Sequence, residues 1–222
     1  MKNLFIITSA INSRQSAIDI ETRYVDTFQT IESIRKKDPN AIIVLFDSSP
    51  DKLSDDRIKA ITDKVDYFLL LSDNPQVKHL GSIFQKSSAE SVSLRLTVEY
   101  VKSLNLPITR IFKVTGRGYL SDDFDISYYE NPELKGKYVF KNRIVSWMSP
   151  DVRLLSTRCW SFSYELLPEV LVLLEKTAIG CLETGRDLEH VIYEHIDKSE
   201  LVEKPIIGYN CRISLNGNLE CD

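Results

Sequence analysis

Glycine is scarce in this sequence, with 8 among 222 residues, and none of them falls in a phosphate-binding pattern. No G-x-G-x-x-G follows the first apolar run and no G-x-x-x-x-G-K-[ST] occurs anywhere, which excludes the dinucleotide-binding and P-loop arrangements. G-x-S-x-G is missing too, and with it the nucleophile turn of α/β-hydrolases. Long apolar stretches are also lacking: the longest, Ala41 to Phe46, has six residues, against about 20 for a bilayer span. Leu4 to Ile7 is too short for a signal-peptide core, so a cytoplasmic protein with no membrane span is expected. The 4 cysteines, Cys159, Cys181, Cys211 and Cys221, form no C-x-x-C pair. They fit neither a zinc knuckle nor a disulfide framework, and are expected to be reduced and buried. Three histidines without ligand spacing make no zinc site. Positive charge is not in excess, since 28 Lys and Arg face 32 Asp and Glu for a net −4. No global field recruits nucleic acid or an anionic membrane, so any phosphate site has to be local.

What is present is an ordinary globular composition, 43% hydrophobic and 27% charged. Asn3 to Ser9 reads as a buried strand, and from Ile20 the residues Tyr24, Phe28, Ile31 and Ile34 repeat at helical spacing until Lys36-Lys37-Asp38-Pro39. Ala41 to Phe46 is a second strand and Ser54 to Lys64 a weaker helix; Asp66 to Ser72 is a third strand. Ser87 and Glu90 have the spacing of a capping box opening a long helix with Val92, Leu94, Leu96, Val98, Val101 and Leu104, and Ile108 to Thr115 is a fourth strand. Such alternation predicts an α/β fold, a mostly parallel central sheet with helices on both faces. Beyond Gly116 the texture is α+β: strands near Tyr138 to Val145, Val152 to Trp160 and Ile206 to Leu215, one helix opening with Pro168, and another over Asp187 to Ile196 with His195 facing inward. No repeat or linker divides the chain, so residues 1–222 are expected to form one domain.

A parallel sheet binds its ligand outside the carboxyl ends of its strands. That singles out Thr8 to Arg14, Asp47 to Asp51, Ser72 to Pro75 and Thr115 to Asp125. In the last of these, Arg117 offers a planar forked donor and Asp122, Asp123 and Asp125 offer carboxylates for a hard divalent cation. The competing reading is a helix start capped by Ser121 with Asp122 and Asp123 in its first turn. Asp47 can accept from a base imide or a ribose hydroxyl, or equally form an Asx-type turn before Pro50. Lys86 places an ammonium at a helix N-terminus, which is unfavourable unless an anion sits there too, though a merely solvated lysine is the alternative. Asp187 and Glu189 cluster at a later helix start, where one carboxylate can serve as a general base, while Thr184 and Asp187 can equally be a capping pair.

TSAIN (Thr8 to Asn12) with ETRYVDTFQTIESIRKKDP, KSSAE (Lys86 to Glu90), FKVTGRGYLSDDFD (Phe112 to Asp125), DLEHVIY (Asp187 to Tyr193) and IIGYNCRISLNG (Ile206 to Gly217) together resemble a GT-A-fold glycosyltransferase. Within that fold the chain is most similar to the small virus-encoded group of chlorella-virus capsid type, and a viral source would place it in host cytoplasm. The resemblance implies a nucleotide-diphospho-sugar transferase fold with a nucleotide-sugar-binding half over residues 1–125 and an acceptor half over 126–222. It implies a UDP-sugar donor on Thr8, Ser9, Ala10, Asp47, Lys86 and Arg117, Mn²⁺ or Mg²⁺ on Asp122, Asp123 and Asp125, and a glycan or glycoprotein acceptor. In many such enzymes D-x-D closes the strand directly, whereas Thr115-Gly116-Arg117 does so here, and Arg117 can partly replace the cation. The rivals are a nucleotide-binding domain of the same fold without turnover, and a nucleotidyltransferase, which would want glycines after the first strand.

Overall fold

The computed structural model describes residues 2–14, 16–213 and 216–221. Its first half alternates strand and helix: β1 (Lys2–Ser9), α1 (Ile20–Lys37), β2 (Ile42–Asp47), α2 (Asp55–Thr62), β3 (Tyr67–Leu70), α3 (Pro75–Ser82), α4 (Lys86–Ser103) and β4 (Ile108–Thr115). Shorter strands dominate the second half: β5 (Gly118–Leu120), β6 (Tyr138–Lys141), β7 (Ile144–Val145), β8 (Arg153–Leu154) and β9 (Cys159–Ser163). Then come α5 (Leu167–Thr184), α6 (Leu188–His195), β10 (Leu201–Lys204), β11 (Tyr209–Arg212) and β12 (Leu219–Glu220). The expected last strand is shorter than its sequence pattern, and Ser214 and Leu215 at its end lie outside the described residues.

Seven strands form the main sheet in the order β10-β6-β9-β4-β1-β2-β3. β1 pairs in parallel with β2 and β4, and β2 with β3, as right-handed crossovers through helices require. Only β9 runs against its neighbours, β4 and β6, so six of the seven strands point one way. The fold is therefore α/β with a mostly parallel sheet. Alternation along β1 assigns the two faces. Leu4 and Ile6 pack with Leu94 and Val98 of α4 and with Val170 and Leu174 of α5. Phe5 and Ile7 pack with Ile31 and Ile34 of α1 and with Leu120, Phe124 and Tyr209, which come from the small sheet β12-β11-β5 and the segment after it.

Several local expectations are corrected. Ile20, Tyr24 and Phe28 of α1 pack against the core as half-buried residues, while the fully buried positions of its first half are polar: Arg23, Asp26, Thr27 and Thr30. Those hydroxyls satisfy backbone carbonyls of the β4–β5 turn: Thr27 Oγ1 donates to Gly116 O at 3.0 Å and Thr30 Oγ1 to Gly118 O at 2.6 Å. No capping box opens α4, whose N-cap is Gln85 without a side-chain bond, because Glu90 turns inward to Lys113 at 2.9 Å. His195 is exposed, and the buried histidine of α6 is His190, bonded through Nε2 to Ser146 Oγ at 2.7 Å. Cys221 is exposed while the other three cysteines are buried. The Thr184–Asp187 capping pair does not form, since Thr184 Oγ1 donates back to Gly180 O and Asp187 makes no side-chain cap.

The small sheet approaches the chain so closely that two positions tolerate only glycine. A Cβ on Gly118 would lie 2.1 Å from Asn210 O, and one on Gly208, which has φ +82°, would lie 2.2 Å from Phe124 N. Gly208→Ala combines left-handed strain with a backbone overlap, and is expected to lower unfolding stability by more than about 2 kcal/mol in urea titration. An unchanged midpoint would show that β11 can retreat without loss.

Candidate functional site: a cationic cleft at the strand ends

The carboxyl ends of the four parallel strands open into a cleft of about 490 Å³. Thr8, Ser9 and Ala10 follow β1 into it, Ser48 and Ser49 follow β2, Ser72 follows β3, and Thr115 and Arg117 follow β4. The opposite wall comes from α3 and the start of α4, with Val77, Phe84 and Lys86. Phe84 is 73% exposed and sits in the left-handed region at φ 60°, a strained conformation for an aromatic residue.

Three cations converge on this space. Arg23 reaches in from the first turn of α1, its Nη1 donating to Ala10 O at 2.6 Å and its Nε to Ser16 Oγ at 3.2 Å. Arg117 sits on the β4–β5 turn, its Nη1 held by Arg212 O at 2.8 Å while Arg212 N donates back to Arg117 O at 2.9 Å. Lys86 opens α4. Their proximity is legible in their acidities. Burial, with a smaller push from Arg117 and against Asp47 and Asp26, brings the Arg23 guanidinium down to about 10. Enclosure likewise lowers Lys86, Arg117 and Arg23 add to the effect, and Glu90 and Glu189 oppose it. Arg117 is thus close enough to both Arg23 and Lys86 to disfavour their charged forms.

Behind the cations lies a polar chain. Lys113, on the central strand, has a fully buried side chain whose Nζ donates to Glu90 Oε1 at 2.9 Å and to Thr157 O at 2.7 Å. The Thr157 hydroxyl in turn donates to Glu189 Oε1 at 2.7 Å. Enclosure alone would raise the Glu90 carboxyl, but Lys113, Arg117 and Lys86 outweigh it and hold it below its usual range. Glu189 goes the other way: burial pushes it above the usual carboxylate range and Glu90 adds repulsion, against the Thr157 donor and the more distant Lys113.

Of the residues singled out by sequence, Thr8, Ser9, Ala10, Lys86 and Arg117 line the cleft together. Asp47 does not, because its carboxylate is turned onto the backbone as an Asx-type brace, Oδ2 accepting from Ile11 N at 2.9 Å and Oδ1 from Ser49 N at 3.0 Å. The three aspartates expected to hold a metal are elsewhere. The chain reverses after Thr115, and β5 carries it back along α1. There Asp122, 98% exposed, faces Lys36 and Lys37 at the last turn of that helix, the end of the sheet away from the cleft. Asp123 is exposed, and Asp125 caps a short 3-10 turn by accepting from Ser127 N at 2.9 Å. Glu189 stands close to Lys86, whereas Asp187 merely precedes α6. Mn²⁺ or Mg²⁺ needs several oxygen ligands. Glu90 is the one carboxylate among the described lining residues and is already bound to Lys113, and no group of three His, Cys, Asp or Glu side chains among the described residues is placed to hold an ion. The residues present do not fit a divalent metal.

Arg23, Glu90, Lys113 and Thr157 escaped the sequence reasoning. Two of them left a signal: Arg23 is a cation in the first turn of a helix, the anomaly that drew attention to Lys86, and Lys113 interrupts an otherwise apolar buried strand.

No protein-family model matches the sequence and no curated protein matches it. Among solved structures, a crystal structure of a glycosyltransferase involved in the glycosylation of the major capsid of PBCV-1 aligns with 90% of this chain and 80% of its own. The identity is 10% and the TM-score 0.46. A likeness at that level is one of outline and carries no chemistry with it. No helix among the described residues is long and apolar enough to cross a membrane.

Asp47→Asn offers one carbonyl where two N–H groups now find carboxylate oxygens. It is expected to cost about 1–3 kcal/mol of stability, read by thermal melting, from an amide group set against a buried donor. A full-strength melting curve would show that the β1 and β2 loops hold without this brace.

Proposed function

We propose that the protein is a glycosyltransferase that moves a hexosyl or deoxyhexosyl group from a nucleoside diphosphate, UDP by the sequence resemblance, to a hydroxyl on a glycan or glycoprotein. The observation that carries this reading is the meeting of Arg23, Lys86, Arg117 and Glu90 at one cleft on the strand ends, with Glu189 linked to Glu90 through Thr157 and Lys113 and near enough to act on Lys86. A volume of about 490 Å³ lies within the range of cofactor-sized sites. Serine and threonine hydroxyls at the ends of β1 and β2 suit a nucleoside, and the cations suit its diphosphate.

Sugar transfer needs three things: a neutralised leaving diphosphate, a donor carbon held in line with the acceptor, and a carboxylate to take the acceptor proton. The acceptor oxygen bonds to the anomeric carbon as the bond from that carbon to the diphosphate oxygen breaks. The electron pair leaves with the diphosphate, and the proton passes to the Glu189 carboxylate. Glu189 suits this work because burial makes its carboxylate a stronger base, and Thr157 fixes its orientation. Glu90 is a poorer base, since Lys113 holds its charge. Trp147, 67% exposed and edge-on to His190 at 5.0 Å, offers an acceptor ring a stacking face on the acceptor half of the chain.

Glu189→Gln is expected to lower UDP-sugar turnover roughly 100-fold while UDP binding by calorimetry stays intact. Binding without UDP release in the unaltered protein would instead mark a domain that binds and does not turn over. The pH dependence has a definite sign. A raised folded-state pKa means that Glu189 supports stability fully below the unfolded value, about 4.3, and that this support is lost as pH rises through the folded value. Activity rises over the same window as the base ionises. Thr157→Val removes a donor that favours the carboxylate, so the acidic limb of the kcat profile is expected to move to higher pH. An unmoved limb would assign the proton transfer to another group.

A further inference from the structure

We infer that Arg23, Lys86 and Arg117 do the work of a divalent cation in this cleft, so that the donor diphosphate binds and leaves without metal. The inference rests on the reading above of the cleft as a nucleoside-diphosphate site.

Charge is the first ground. Arg14, Arg23, Lys78, Lys86 and Arg117 line the cleft, and Glu90 is the one carboxylate among the described lining residues, while Asp51 pairs with Arg14, Asp47 and Asp26 act on Arg23, and Glu189 acts on Lys86 from outside the lining. A divalent ion entering this space would meet repulsion from the Arg23, Lys86 and Arg117 side chains. It would also have to compete with Lys113 for the single carboxylate. Position is the second ground. Arg117 follows the central strand β4 after Gly116, and the reversal of the chain after it carries Asp122 to the other end of α1 and leaves Asp123 and Asp125 outside the cleft lining. A guanidinium therefore occupies the strand-end position from which a carboxylate would have to grip a bridging ion.

Rigidity is the third. Arg117 is fixed through Arg212 O, and its turn is tied by Gly116 N to Thr8 O at 2.8 Å and by the Thr27 and Thr30 hydroxyls. Arg23 is fixed through Ala10 O and Ser16 Oγ. Donors held before the ligand arrives need little reorganisation, and planar forks match phosphate oxygens. As the bond to the sugar breaks, the negative charge that develops on the diphosphate oxygen faces cations already in place.

The test is calorimetric titration of the full chain with UDP and with inorganic pyrophosphate, each in EDTA and in excess Mn²⁺. UDP affinity in EDTA is expected to stay within about twofold of that in Mn²⁺, and to fall at least tenfold in Arg117→Lys and Lys86→Met. Lys86→Met changes only the first residue of α4, so it remains informative if an Arg117 variant folds poorly. Tenfold or greater strengthening by Mn²⁺, lost in EDTA, would overturn the inference. So would unchanged affinity in both variants. Should pyrophosphate bind in EDTA while UDP binds under neither condition, the metal-free anion site stands and the nucleotide reading falls. Binding of neither overturns both.

Discussion

A lysine ammonium with no exposed surface, Lys113, sits in the central strand of this protein, and the surroundings have to be arranged around it. An unpaired cation at that depth would cost several kcal/mol, so α4 has to deliver Glu90 and the segment before β9 has to deliver the Thr157 carbonyl. The same threonine offers its hydroxyl to Glu189, which brings the start of α6 to the same place. One buried charge thus draws together elements that pack on different strands. It also sets the two carboxylates apart, one held ionised by the lysine and one enclosed with its affinity for protons raised.

The cleft follows from the carboxyl end of the same strand, two residues beyond Lys113. Where β4 stops, Gly116-Arg117-Gly118 reverses the chain under the hydroxyls of α1, and the closeness of that packing accounts for the fully buried threonines in the first half of α1. A more apolar α1 would leave the carbonyls of Gly116 and Gly118 unsatisfied. Fold and site share these bonds: what satisfies the backbone of the turn also fixes the guanidinium it carries.

The first 115 residues were largely legible because their signals are local. Ile108–Thr115 reads as a strand from its own run of apolar residues, and α1 ends where Lys36-Lys37 and Pro39 say it should. Strands of two residues such as β7, β8 and β12 carry no periodicity to read. The loops at the strand ends were found from topology alone, but individual roles within them depended on distant partners. Glu90 has the spacing of a cap and is instead claimed by Lys113, 23 residues away. The aspartates after Leu120 are acidic and close in sequence to the strand end, yet nothing in their spacing reveals that the chain turns back before reaching them. Asp47 illustrates the opposite limit, since one of its readings was local and the Asx-type brace is the one the backbone adopts.

The bond from Arg117 to Arg212 joins residues 95 apart in sequence. Tyr209 of the same short strand donates its hydroxyl to the Thr115 carbonyl, so the end of β4 is clasped twice by β11. During synthesis, the helices and strands that form the floor of the cleft can assemble while most of the second half is still to be made. The guanidinium, however, has no fixed direction until residue 212 has emerged and docked. The direction of the Arg117 side chain is therefore set by a contact of long sequence separation, formed only once β11 has docked.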